Sequence, residues 1–491
     1  MSFEPSLQVP LQKQDIIGNY VGSSNDADKY AKQAAGNSTL AIYRQALSDY
    51  DNAKFGWFHV KTCLVAGVGF FTDSYDIFAI NLCSLIMGYV YYADAEGRVN
   101  PVGCIIGQFA FGYLADRLGR KCMYGVELII IIVCTIGGSF AGTTARGLSV
   151  YWILFIWRFI LGIGIGGDYP VSAIITSEFA TNKNRGAMIA TVFAMQGFGI
   201  IAAAIVAIIV LAAFKGAIDS DQLMLDYVWR ITMGLGAVPG LVALYFRLTI
   251  PETPRYTLDV EQDIARPHAI SNPLVLPSLK KWKNFKVLMG TSVTWFALDV
   301  AFYGINLNSS IILQAIGFLA LLKTTAGNII LTLLGTIPGY WAAVFTIDRL
   351  GRRTIQIIGF VALIILFCIL GFAYHQILDR SIAGFVVLFT LAQFFQNFGP
   401  NTTTFIIPSE TFPTRFRSTC HGISAACGKI GAVIAQLGFF QLKDRGGKNT
   451  FIPQLIKIFA LFMLVGLLFT WFVPETKGKT LEELSNERDE D

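Results

Sequence analysis

Long apolar stretches separated by short polar ones dominate the chain after residue 56. They fall near 61–92, 101–115, 122–142, 150–175, 187–212, 229–250, 285–318, 326–347, 354–375, 383–407, 419–442 and 451–473. A helix that crosses a bilayer needs about 20 mostly apolar residues, so the pattern predicts twelve spans. The second run is too short to cross alone unless it extends back through the polar segment 93–100, or residues beside it are absent from the chain. Between the sixth and seventh runs lies 251–284, rich in Pro, Lys and Arg, which divides the spans six and six.

Internal repeats support that division. Asp116-Arg117-Leu118-Gly119-Arg120-Lys121 recurs as Asp348-Arg349-Leu350-Gly351-Arg352-Arg353, and Ser177-Glu178 recurs as Ser409-Glu410. Pro251-Glu252-Thr253 recurs as Pro474-Glu475-Thr476. The copies follow corresponding spans in the same order. The expected fold is an all-α membrane protein of twelve transmembrane helices in two pseudo-symmetric six-helix halves. Its expected parts are a tail (1–56), a first half (57–250), a central loop (251–284), a second half (285–473) and a second tail (474–491).

Composition agrees. The chain is 54% hydrophobic and 14% charged, with a mean hydropathy of +0.55. An ordinary soluble domain carries about 25% charged residues, so a soluble enzyme, a disordered chain and a fibrous protein are all excluded. The net charge of +5 is too slight to argue for nucleic acid. Of the eight cysteines, most lie inside apolar runs; none has CxxC spacing and no His stands in metal-ligand register, so they read as small core residues. No metal, cofactor or enzyme activity is expected: there is no Ser/His/Asp set, and His375 and His421 lie at span ends.

Residues 1–56 lack the apolar core of a cleavable signal peptide, so the first span directs insertion. Sixteen basic residues lie in the loops after spans two, four, six, eight and ten, counting Lys286 at the start of span seven, and eight in those after odd-numbered spans. The positive-inside rule then puts both termini and the central loop in the cytoplasm. Asn37-Ser38-Thr39 would be cytoplasmic too, and so not a glycosylation acceptor. In the duplicated loops, Asp116 can cap or pair with a neighbouring helix end, while Arg117, Arg120 and Lys121 lie at lipid head groups. Two such loops can latch the halves together; plain positive-inside anchoring is the competing account.

Charge inside the spans is the strongest functional signal, because at the bilayer centre it costs at least about 2.5–3.5 kcal/mol. Span one carries Asp73 and Asp76 on one helix face. Span three carries Glu127, span four Arg158 and Asp168, span seven Asp299, and span eleven Lys429. A buried Glu127–Arg158 ion pair is the purely structural alternative for those two. In span seven, Trp295, Asp299 and Tyr303 share a stripe at i, i+4 and i+8, with Asn306 close by. Span ten repeats the spacing without charge in Gln393, Asn397 and Asn401. There Gly399-Pro400 interrupts the helix and frees backbone groups that need partners. Span four ends in a glycine-rich string before Asp168-Tyr169-Pro170, which permits close helix approach, and Gln196 on span five adds an amide.

Such a pocket offers donors (Tyr169, Gln196, Trp295, Tyr303, Asn401, Lys429) and an unusual acceptor, Asp299. A carboxylate repels a fully deprotonated oxyanion but accepts a hydrogen bond from one that keeps its protons. Dihydrogen phosphate has such protons near neutral pH; sulfate does not. Alternatively Asp299 takes up the proton itself, since burial favours a neutral carboxyl group. In both cases anion and proton enter together.

The paired halves, the DRxGRR-type loops and the PETPR and PETKG ends resemble the major facilitator superfamily, its sugar porters included. Finer strings, GVGFFTDSYDIFAINL, GIGIGGDYP, LDVAFYG and FFQNFGPNTTTF, resemble the fungal high-affinity phosphate:proton symporters over roughly 55–485. That resemblance implies a multi-pass plasma-membrane importer taking inorganic phosphate and protons through a mid-membrane site by alternating access. It implies phosphate contacts at Tyr169, Gln196, Trp295, Asp299, Tyr303 and Asn401, with Lys429 sensing or neutralising the anion. It implies a proton route through Asp73, Asp76, Glu127, Arg158 and Asp168. The chain departs from the family at its clipped second span, its short central loop and an abrupt segment near 319–325. A sugar porter shares the loop motifs but has little use for Asp299 and several buried acids. A phosphate receptor that signals without transport is a further alternative, although the tails hold no recognisable signalling module.

Overall fold

The computed structural model describes residues 55–91, 120–142, 150–248, 282–317, 321–447 and 449–485. The second apolar run, the central loop up to residue 281, Asp116 and Arg117 lie outside these residues. In the first half the main helices are α1 (Trp57–Tyr91), α2 (Arg120–Ser139), α3 (Val150–Phe179), α4 (Arg185–Ala213), α5 (Leu225–Gly234) and α6 (Ala237–Leu248). The second half contains α7 (Trp282–Asn306), α8 (Ser309–Ala315), α9 (Leu321–Leu331), α10 (Ile337–Leu350), α11 (Arg352–Phe372), α12 (Ile382–Gln396), α13 (Thr402–Thr411), α14 (Arg417–Leu442) and α15 (Ile452–Phe469).

Ten helical segments among the described residues are long and apolar enough to cross a membrane, and the shorter apolar helix Tyr124–Ser139 is an eleventh. They match eleven of the twelve expected spans. Helices are what the pattern demands, because in lipid every backbone N–H and C=O must be satisfied within the segment. Polar side chains inside the spans follow the same rule: the hydroxyls of Thr72, Thr176 and Thr404 each donate to the carbonyl four residues back. Large apolar side chains such as Ile209, Leu334, Phe345 and Leu468 point outward and are more than half exposed. That outward apolar surface is the lipid-facing one.

Two interruptions shape the bundle. Thr332–Thr336 forms a π-turn between α9 and α10, and Asn397–Asn401 forms another between α12 and α13. The second is the expected break at Gly399-Pro400; Gly399 has a non-helical ψ of −117°. Gly359 on α11 makes room for it, since a Cβ there would stand 2.4 Å from the Gly399 Cα.

The repeat extends into the packing. A Cβ on Gly199 would stand 2.3 Å from the Phe71 carbonyl oxygen, so α4 rides directly on α1. Gly431, 232 positions later, does the same on α14 against the Phe296 carbonyl of α7, at 2.5 Å. The halves meet through a shared apolar cluster that joins Phe70, Tyr169 and Phe193 to Trp295, Tyr340 and Phe405.

At the end of the bundle carrying Asp348, charged side chains tie the halves together. The Asp348 carboxylate accepts the backbone N–H groups of Gly186 (3.2 Å) and Ala187 (2.8 Å), the first turn of α4. Arg352 pairs with Asp348 at 2.9 Å and with Glu410 through two contacts of 2.8 and 3.1 Å. Arg417 reaches Glu178 of the first half at 3.2 Å. Glu475 of the PETKG string accepts the N–H groups of Arg352 (2.9 Å) and Arg353 (3.1 Å), capping α11. The expected latch therefore has a structural form in the second copy of the loop. Cys83, Cys134 and Cys420 are buried in the apolar interior.

Candidate functional site

Helix α7 delivers the expected stripe. Trp295, Asp299 and Tyr303 are all buried, although a stripe of these three residues would face lipid if α7 were turned outward. α14 packs tightly enough to bring Lys429 against them, because residue 428 is glycine: a Cβ there would fall 2.9 Å from Asp299 Oδ2 and 2.6 Å from the Trp295 ring. Lys429 Nζ lies 3.1 Å from Asp299 Oδ2 and donates to the Tyr303 hydroxyl at 2.7 Å. The ammonium also sits 4.4 Å from the Tyr303 ring centre and 4.9 Å from that of Tyr169. Trp295 borders Asp299 through its indole N–H.

The first half closes the ring. Gln196 on α4 donates to the Tyr169 hydroxyl of α3 at 3.0 Å, and its carbonyl accepts from the Tyr340 hydroxyl at 3.3 Å. Asn401, at the end of the π-turn, donates to Tyr340 (2.9 Å) and to the Asn397 carbonyl oxygen (2.8 Å). Tyr169 and Asn401 are again 232 positions apart, so equivalent places in the two repeats face one centre. The seven residues expected to contact an anion thus form one buried cluster at the interface of the halves. It holds one cation, one carboxylate and several neutral donors, a set able to attract an oxyanion and accept a proton from it. On the side away from Asp348, residues of both halves, Phe78, Ile200, Asn306, Asn328, Thr332 and Gln393, line a cavity.

The acids of the first half gather in a second cluster. Arg247 on α6 lies 2.8 Å from Asp168 and 3.3 Å from Glu127, with all three side chains buried. Its guanidinium lies over the Tyr124 ring at 4.1 Å. The other Asp168 oxygen accepts from Ser172 at 2.5 Å. Asp73 faces Asp168, Arg247 and Asp76. The Glu127–Arg158 pair raised by the sequence is not what forms. Glu127 pairs with Arg247, because α6 packs against α2 there, and Arg158 donates instead to the Asp76 backbone carbonyl at 2.9 Å. Asp76 accepts from Thr135 at 2.6 Å.

Two residues of these clusters escape the sequence reading. Arg247 is a further cation, besides Arg158, in the apolar runs of a half whose spans carry Asp73, Asp76, Glu127 and Asp168; that surplus of acids was the available signal. Tyr340 has no such signal, since a tyrosine in an apolar run also reads as packing. Among the described residues no group of three His, Cys, Asp or Glu stands close enough to hold a metal ion.

A family model described as "Sugar (and other) transporter" matches residues 62–487. The chain is 47% identical to the inorganic phosphate transporter PHO84 of Saccharomyces cerevisiae, over 90% of this chain and 86% of that protein. It is 44% identical to the repressible high-affinity phosphate permease of Neurospora crassa, over 91% and 90%. A probable inorganic phosphate transporter 1-8 of Oryza sativa is 40% identical over 91% and 95%. Among solved structures, the major facilitator superfamily proton:xylose symporter XylE bound to 6-bromo-6-deoxy-D-glucose superimposes with a TM-score of 0.70. That comparison covers 87% of this chain and 98% of the other at 23% identity, and shows the fold alone.

Proposed function

This chain belongs to the sugar (and other) transporter family of the major facilitator superfamily, and we propose that it imports inorganic phosphate together with protons. The observation that carries the reading is the buried Lys429–Asp299–Tyr303 group facing Tyr169 and Gln196 across the interface of the halves. A neutral sugar needs hydrogen bonds but has no use for a buried ammonium. A phosphate that keeps a proton has use for both charges: Lys429 attracts the anion, and Asp299 accepts its O–H. Tyr169, Gln196, Trp295, Tyr303 and Asn401 supply neutral donors around it. The high identity to named phosphate transporters supports the same cargo.

Alternating access follows from the placement of the cluster between two repeats. Rocking the halves exposes one centre to each side in turn. The contacts of Asp348 and Arg417 with the first half hold one face shut, with Arg352 bracing Asp348, while the cavity by Asn306 and Gln393 serves the other. Asp73, Asp76, Glu127 and Asp168 carry the proton in this reading, outside the phosphate centre, and Arg158 lines their route as a fixed cation. The protein resides in the plasma membrane, with both termini and the Asp348 face in the cytoplasm.

The test is labelled phosphate uptake into proteoliposomes with and without an inward proton gradient, with sulfate and glucose as competitors. Gradient-dependent uptake that ignores both competitors is expected. Phosphate binding without accumulation would instead make the protein a receptor, and inhibition by glucose would make it a sugar porter.

A further inference from the structure

We infer that Arg247 is the positioning residue of proton coupling, deciding whether Asp73 or Asp168 holds the transferred proton. The inference rests on the proton-coupled reading above. Arg247 is buried and clamps Asp168 at 2.8 Å, more closely than Glu127 at 3.3 Å. Its place exists because residue 69 is glycine: a Cβ there would fall 1.5 Å from Arg247 Nη2 and 2.5 Å from Asp168 Oδ2. Asp73, one helical turn beyond Gly69, is fully buried, and neither of its carboxyl oxygens accepts a hydrogen bond.

A buried carboxylate without a donor is costly. A carboxylic acid beside the Asp168 carboxylate is not, because its O–H has an acceptor. In this arrangement the proton therefore sits on Asp73, and Arg247 neutralises Asp168. If the guanidinium turns to Asp73, Asp168 loses its counter-charge and takes the proton that Asp73 gives up, so one carboxyl gains what the other loses. The other groups around Asp73 do not supply this switch. Asp76 has its own donor in Thr135, and Arg158 is committed to the Asp76 carbonyl. Tyr169 faces Asp73 without charge. Helix α4 offers no titratable side chain between Ala190 and Ile200. On α5, Asp226 and Arg230 pair with each other at 2.8 Å. Among the described residues, Arg247 is the cation that faces Asp73.

The full chain, R247K, R247Q and G69A are compared in proteoliposomes and in detergent. Three quantities are read: gradient-driven phosphate uptake against external pH, phosphate exchange at equal pH on both sides, and melting temperature against pH without phosphate. R247K keeps a charge but cannot bridge Asp168 and Glu127 as a fork does. It is expected to keep exchange within about threefold, to lose accumulation by about tenfold, and to displace the midpoint of both pH profiles. G69A pushes the guanidinium off Asp168 and is expected to change the profiles as R247K does. Folded R247K and G69A with the parent's profiles would overturn the inference. So would a failure of R247K to fold, which would make Arg247 a structural clamp. R247Q shows the full loss if it folds. If the parent takes up no phosphate, the phosphate reading fails, while the melting profiles still report whether Arg247 governs the proton.

Discussion

The ammonium of Lys429 stands 3.1 Å from the Asp299 carboxylate, in the centre of the interface between the halves. Both side chains are buried, so neither charge has water to fall back on. Breaking a buried pair by removing one partner typically costs about 3–5 kcal/mol, whereas removing both is often close to neutral. Asp299→Asn and Lys429→Met are each expected to lower the melting temperature, and the double variant is expected to recover most of it. Transport should not recover, because the double variant lacks both the anion's cation and its acceptor. Uptake restored in the double variant would sink the phosphate role given to these two residues.

The Tyr340 hydroxyl links Gln196 of the first half to Asn401 of the second. Its ring packs edge-on against Phe193, a contact that phenylalanine preserves. Tyr340→Phe is expected to cost about 1 kcal/mol of stability, the usual net worth of a buried hydrogen bond. The apparent KM for phosphate should rise by about tenfold, since two of the site's donors lose their common anchor. An unchanged KM would remove Tyr340 from the site.

Gly359 lies against the break at Gly399-Pro400. A Cβ at 359 would stand 2.4 Å from the Gly399 Cα and 2.5 Å from Pro400 Cδ, and a backbone cannot yield that far without moving the π-turn that carries Asn401. Gly359→Ala is expected to destabilise by about 1–3 kcal/mol and to reduce uptake. Gly384→Ala is the control, because its nearest neighbour would be the Ser381 side chain at an ordinary 3.7 Å. Melting temperature and uptake of the two variants check the contrast; equal behaviour would mean that the kink tolerates displacement.

Asp348 holds the first turn of α4 by two backbone hydrogen bonds, across the interface of the halves. A cap of this kind is worth about 1 kcal/mol, so Asp348→Ala should fold and yet shift the balance toward a state open on that face. Thiol labelling of a cysteine placed at the buried Ser177 reads the shift. Labelling is expected to accelerate about fivefold, the population change that 1 kcal/mol produces. An unaltered rate would make the Asp348 contact incidental to opening.

The apolar pattern alone determined the fold class, because a bilayer admits so few ways of satisfying a backbone. The stripes on spans seven and ten were legible for a related reason: helical spacing fixes which residues share a face, and Asp299 could not face lipid. The break at Gly399-Pro400 was equally readable, since proline removes a donor and clashes with the preceding turn. Which charge meets which was not readable. Glu127 has two candidate cations, Arg158 and Arg247, both in apolar runs of the same half. Only the rotation of α6 against α2 and the missing side chain at Gly69 decide for Arg247. Likewise Lys429 and Asp299 are 130 residues apart, and their contact depends on how closely α14 approaches α7 at Gly428. Periodicity is a property of one helix, and the pairing of buried charges is a property of the distance and rotation between two.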